Sequence, residues 1–245
     1  MELVDLSALS KSRGGSERLM GYLARPVGDG PWPGVVLVHE IFGVDEVMRR
    51  HARRMASAGY LTLAVDLYSD GGARRCLVST MRSLYSGRGR AYRDIDTARR
   101  WLLDSSATTT KVGVLGFCMG GGFVLASAGE GFDAGAVNYG QLPKDYETVL
   151  ATACPMVASF GGRDRSLRNA AARLDEALAA AGVAHDVKEY ANAGHSFMND
   201  APVGPRPLRP LLKVAGMGPR PEEAADAWRR IEEFFARHLR DDASA

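Results

Sequence analysis

The 245-residue sequence predicts a single α/β domain (residues 1–245) with a mostly parallel central sheet and helices on both faces. Three observations predict it. Short β-branched runs such as Val35–Val38 and Leu61–Val65 alternate with longer segments whose apolar residues recur at helical spacing. The runs are apolar without alternation, as in strands covered on both sides. The length suits one large core, and 46% apolar with 24% charged residues is the balance of an ordinary globular chain.

The elements follow in order. Pro31-Trp32-Pro33-Gly34 is a turn-like opening to the buried strand Val35–Val38. Val44–Ala58 has helical spacing and stops at Gly59, a C-terminal cap. Leu61–Val65 is the next strand and ends at Asp66. Ser69–Arg90, rich in Gly, Ser and Arg, is an excursion with one helix over Cys76–Tyr85. Tyr92–Leu103 is an amphipathic helix, Lys111–Leu115 a strand and Gly120–Ala128 a helix of small residues. Ala134–Tyr139, Met156–Phe160 and Ala184–Tyr190 are further strands, and Leu167–Ala181 and Glu222–Leu239 further helices. Asn199–Pro221 carries several prolines and glycines; only one helix follows it, so it is a surface loop returning that helix to the sheet. There is no repeat of fixed period.

Composition excludes several function classes. A formal net charge of +2 gives no electrostatic case for a nucleic-acid partner. Cys76, Cys118 and Cys154 are too few and too far apart for a disulfide framework or a zinc site. No metal and no organic cofactor are expected, because Gly116–Gly121 lacks the Lys-Ser/Thr of a phosphate loop and the downstream features of a dinucleotide site. Met1–Pro26 has no continuous apolar run after a basic start, and no stretch reaches the roughly 18 apolar residues of a membrane helix. The expectation is a cytoplasmic protein without membrane contact.

The strongest local signal is Gly116-Phe117-Cys118-Met119-Gly120-Gly121, which follows a strand and opens a helix. A nucleophile at such an elbow needs small neighbours, and the helix N-terminus favours a thiolate and a developing oxyanion. His195 lies in Ala193-Gly194-His195-Ser196-Phe197 and Asp164 in Gly161-Gly162-Arg163-Asp164, each just after a strand. Catalytic groups of open α/β sheets gather at that edge. The order nucleophile, acid, histidine is that of an α/β-hydrolase. His51, His185 and His238 sit within or at the ends of elements, and His39 stands at a strand end beside a more telling neighbour, Glu40. The blander readings are an inert buried cysteine, a solvated histidine, an aspartate in a turn and a carboxylate capping a helix.

Taken together, Glu40-Ile41-Phe42-Gly43, Asp66-Leu67-Tyr68, Gly116-Phe117-Cys118-Met119-Gly120-Gly121, Gly162-Arg163-Asp164 and Ala193-Gly194-His195-Ser196-Phe197 resemble the dienelactone hydrolase family, in the family's order. The resemblance implies an α/β-hydrolase fold, a triad of Cys118, His195 and Asp164, and contact between Glu40 and the resting thiol. It also implies an oxyanion hole made by the backbone N–H groups of Met119 and Ile41. The substrate it implies is a small ester or lactone, cleaved through a thioester on Cys118. Well-known members hold a substrate carboxylate with two arginines. One of those positions is Asn199 here, which has no charge to offer; Arg74, Arg75 and Arg82 are candidates for the other. A different lactone or a neutral ester is therefore expected. A thioesterase, a peptidase, a redox thiol protein or a non-catalytic relative are the alternatives; the oligomeric state is left open.

Overall fold

The computed structural model describes residues 1–202, 204, 207, 209–210 and 217–240. Its strands are β1 (Glu2–Asp5), β2 (Met20–Ala24), β3 (Trp32–Val38), β4 (Leu61–Asp66), β5 (Thr108–Phe117), β6 (Ala134–Asn138), β7 (Met156–Gly161) and β8 (His185–Tyr190). They form one sheet in the order β1-β2-β4-β3-β5-β6-β7-β8. The pairs β1/β2 and β2/β4 are antiparallel, and the remaining pairs are parallel. The chain leaves β3 toward β4 and leaves β5 toward β6, in opposite directions along the sheet. This reversal opens a crevice at the carboxyl ends of β3 and β5, where ligands of such sheets bind.

The helices are α1 (Ser7–Ser12), α2 (Glu46–Ser57), α3 (Ala73–Ser86), α4 (Arg90–Leu103), α5 (Met119–Ala126), α6 (Tyr146–Leu150), α7 (Ala170–Ala180) and a C-terminal helix, Pro221–Leu239. On one face α2 meets the C-terminal helix, with Arg54 Nε 2.9 Å from Glu232 Oε1 and the His51 ring 5.1 Å from that of Trp228. On the other face α4, α5 and α7 pack on the sheet, joined through α3 and α6. Between these layers Val35, Val36, Leu37 and Val38 are fully buried, so the run that lacked alternation is a strand with both sides covered.

Six of the observed strands and the main helices lie where the periodicity places them. The α2 N-terminus is fixed by Asp45, whose side chain accepts from Met48 N–H at 3.0 Å, and Gly59 follows its end at φ 91°. Four elements were not expected: β1, α1, β2 and α6. The first three build the antiparallel edge of the sheet, where β1 is almost wholly exposed and a one-sided strand of four residues carries little apolar pattern. α6 is a five-residue helix with a single buried residue, Leu150. α7 starts three residues later than expected because Arg165–Leu167 forms a short 3₁₀ turn, which Asp164 caps by accepting from Ser166 N–H. Of the loop Asn199–Pro221, positions 203, 205–206, 208 and 211–216 lie outside the described residues. Its returning end is tied to the His195 segment by Gly218 N–H to His195 O (3.1 Å) and Arg220 N–H to Phe197 O (2.9 Å).

Candidate active site

Four strands deliver the site residues to one rim. Glu40 follows β3, Cys118 follows β5, Asp164 follows β7 and His195 follows β8. Cys118 sits at φ 52°, ψ −115°, a strained backbone for a residue with a side chain. Its amide donates to Asn138 O at 3.0 Å and its carbonyl accepts from Gly122 N–H at 3.1 Å, so β6 and α5 hold the turn from both sides. The flanking glycines are steric requirements. A Cβ on Gly116 would stand 2.2 Å from Gly120 O, and one on Gly120 would stand 2.1 Å from Val38 O. The four non-glycine residues at positive φ among the described residues are Cys118, Tyr139, Asn169 and Ser196. Three of these line or support this site, which is where backbone strain tends to be retained.

His195 Nδ1 lies 2.5 Å from Asp164 Oδ2. The other carboxylate oxygen, Oδ1, accepts from Ser166 Oγ (2.6 Å) and Ser166 N–H (3.0 Å), which fixes the carboxylate plane. Burial by itself would lower the His195 pKa, but Asp164 and the neighbouring Cys118 thiol outweigh it and raise the imidazole to about 10. Burial by itself would raise Asp164, but His195 and Ser166 hold its carboxyl below the usual range. Cys118 and His195 line the same cleft, and Asp164 is bonded to the far nitrogen of that imidazole.

Glu40 is buried in the crevice. Its Oε1 accepts from Ser196 Oγ at 3.2 Å and its Oε2 from Asn199 Nδ2 at 3.1 Å. Among the described residues no hydrogen bond joins Glu40 to Cys118. The physical reason is donor strength: a hydroxyl and an amide NH₂ are within reach, and both donate better than S–H. Burial pushes the Glu40 carboxyl up, against the pull of Asn199, His195 and Ser196. Asn199 Oδ1 in turn accepts from Tyr139 Oη at 3.4 Å, so the residue at the expected arginine position is occupied inside the protein.

Met119 and Ile41 both line the cleft with Cys118. Met119 opens α5, so its N–H is one of those a helix leaves without an internal acceptor. Two residues that the sequence reading passed over hold the Ile41 segment. Leu67 N–H donates to His39 Nε2 at 3.1 Å, so the proton sits on Nδ1, which donates to Glu40 O at 2.6 Å. Burial keeps this imidazole neutral by lowering its pKa. Tyr68 Oη donates to Ile41 O at 3.0 Å and lies 3.6 Å from Met119 Sδ. Because a peptide is planar, fixing the Glu40 carbonyl also fixes the opposed Ile41 N–H. A histidine ending a strand, followed one strand later by Asp-Leu-Tyr, was the available signal.

The cleft has a volume of about 220 Å³ and is walled by apolar groups including Met81, Leu84, Tyr139 and Leu167. Arg74, Arg75 and Arg82 stand on α3, and none of them lines it. No helix among the described residues is long and apolar enough to cross a membrane.

A strained turn after a central strand, with an imidazole and a carboxylate on later strand ends, defines an α/β-hydrolase. The profile of the dienelactone hydrolase family matches residues 19–239, and the chain belongs to that family. A Methylorubrum extorquens protein provisionally named carboxymethylenebutenolidase is 31% identical over 239 residues, covering 89% of this chain and 76% of that one. Among solved structures, a dienelactone hydrolase-like promiscuous phosphotriesterase from metagenomic libraries superposes with a TM-score of 0.78 at 25% identity, covering 93% and 95% of the two chains. A provisionally named dienelactone hydrolase of Klebsiella pneumoniae gives 0.76 at 25% identity, covering 97% and 99%.

Proposed function

We propose that the protein hydrolyses a neutral carboxylic ester or lactone through a Cys118 thioester. The observation that supports this reading is the Asp164–His195 pair, whose imidazole lines one apolar-walled cleft together with Cys118. The Cys118 sulfur, its proton transferred to His195, attacks the carbonyl carbon. The Met119 and Ile41 amides receive the charge that develops on the carbonyl oxygen. The C–O bond breaks, and the leaving alkoxide takes the His195 proton. A water then gives a proton to His195 and attacks the thioester, releasing the acid and restoring the thiol. Asp164 keeps Nδ1 protonated and Nε2 facing the sulfur. Glu40, held by Ser196 and Asn199, leaves the sulfur free to pair with His195 and places a carboxylate near the imidazolium.

A neutral substrate follows from the lining: among the described residues no arginine lines the cleft, and Asn199 is engaged with Glu40 and Tyr139. Cytoplasmic residence suits the three free cysteines and a thiol nucleophile. The test is turnover of p-nitrophenyl acetate, a neutral lactone and an anionic dienelactone by wild type, Cys118→Ala, Cys118→Ser and Glu40→Gln. Wild type favours the neutral compounds and acquires an acyl adduct on Cys118 by mass spectrometry. Cys118→Ala loses at least about a thousandfold in kcat, and Glu40→Gln lowers kcat severalfold with little change in KM. Ester turnover that survives Cys118→Ala removes the thioester mechanism; a strong preference for the anionic lactone removes the neutral substrate.

A further inference from the structure

Next to the Cys118 cleft is a second cavity of about 100 Å³, and the two share Leu84 and Gln141 as lining. The second is otherwise bounded by Tyr85, Gly122, Ala126, Leu142, Pro143 and Lys144. Cys118, Gly122 and Ala126 are spaced four residues apart along α5, so they run down one side of that helix. At 1.5 Å rise per residue these three positions span about 12 Å along the helix axis. Small residues keep that side open. A large group lying across it is Leu84 of α3, which rests on the bare backbone of Gly122: a Cβ there would stand 3.2 Å from Leu84 Cδ1. On the outer side Tyr85 Oη donates to Gln141 Oε1 at 3.4 Å, linking α3 to the segment after β6.

We infer that Leu84 is the residue that sets acyl-chain length. The first compartment takes a short, neutral acyl group; the second, mainly apolar but with Gln141 and Lys144 in its lining, is a chain subsite that opens to the far end of a medium-length acyl chain only where Leu84 is displaced or trimmed. The inference rests on the ester hydrolase reading above. It adds a limit that neither the triad nor the oxyanion amides can impose, because they touch only the reacting carbonyl. Chain length enters through burial of methylenes, each worth about fourfold in kcat/KM when fully removed from water. A chain stopped at Leu84 gains nothing from its further methylenes; one that passes gains that factor for each.

The experiment compares kcat/KM for p-nitrophenyl acetate, butyrate, hexanoate and octanoate. Wild type peaks at a short acyl chain and falls beyond it. Leu84→Ala raises the octanoate-to-acetate ratio by at least about tenfold. Adding Ala126→Trp to Leu84→Ala fills the second compartment and returns the ratio to the wild-type value. The same pair of variants guards against a general loosening of the fold, since a loosened site would not regain its preference. If Leu84→Ala hydrolyses acetate but its ratio is unmoved, or if the gain persists in the double variant, the gate is wrong and the hydrolase reading stands. A wild-type protein inert toward acetate and every longer ester overturns the hydrolase reading and the gate with it.

Discussion

Two hydrogen bonds settle the tautomer of His39, and the planarity of one peptide carries that choice to the Ile41 amide. Replacing His39 therefore disturbs where the Ile41 N–H points and leaves the sulfur untouched. His39→Gln is expected to lower kcat for an acyl ester by about tenfold to a hundredfold, short of the full loss of an oxyanion donor, with KM moving little. Alkylation of Cys118 by iodoacetamide develops no oxyanion, so its rate is expected to stay at the wild-type value. His39→Asn, whose amide reaches the Nδ1 position, restores part of kcat. Equal losses in hydrolysis and alkylation would show general damage instead. The candidate site residues were legible at this scale because each sits in a short motif with its own chemistry. The partners of Glu40 were not: Ser196 and Asn199 lie 156 and 159 residues away, and no local pattern marks a hydrogen bond across that span.

At the scale of elements, α5 joins the elbow to the sheet and depends on having almost no side-chain bulk in its first turn. Gly120 abuts the end of β3 so closely that a methyl group would collide with the Val38 carbonyl. That backbone cannot yield, because it also carries His39 and Glu40 into the crevice. Gly120→Ala is expected to cost about 3 kcal/mol in urea unfolding and to lower activity in whatever fraction remains folded. A neutral result would mean that β3 and α5 are not held as tightly as this contact requires. Strands β3 to β7 were legible because burial on both faces leaves a readable apolar run; β8, His185–Tyr190, is a largely exposed edge strand with only Val187 and Tyr190 to mark it. β1 and β2 were not legible, since an exposed edge strand needs little apolar sequence and takes its conformation from the strand beside it.

Across the whole molecule, the two helices on the far face meet over His51. Its ring stacks 4.6 Å from Phe117 and 5.1 Å from Trp228, and its Nε2 is buried without a hydrogen-bond partner among the described residues. Burial pushes the imidazole down to about 4, from an ordinary 6.5. Between those two values the unfolded chain binds the proton and the folded chain does not, so this residue's contribution to stability is lost as pH falls from about 6.5 toward 4. His51→Phe keeps the aromatic stack and removes the proton site. Thermal unfolding of wild type is expected to lose several degrees relative to His51→Phe over that interval, a protein of this length shifting by roughly 2–4 °C per kcal/mol. Parallel pH profiles for the two proteins would show that His51 is not the acid-sensitive group.

Much was decided by the sequence alone: an α/β chain, the strands at its centre, the chain order of thiol, carboxylate and imidazole, and the family to which these belong. Those properties are local, because apolar periodicity records which faces are buried and turn residues record where the chain must bend. Only the tertiary structure decided that Glu40 is held by Ser196 and Asn199, that the α3 arginines stay out of the cleft lining, and that Leu84 lies across the side of α5 running from the sulfur. Each of these depends on which strand ends become neighbours and how far each loop reaches. That is fixed by sheet order and register over the whole chain, and no window of sequence contains it.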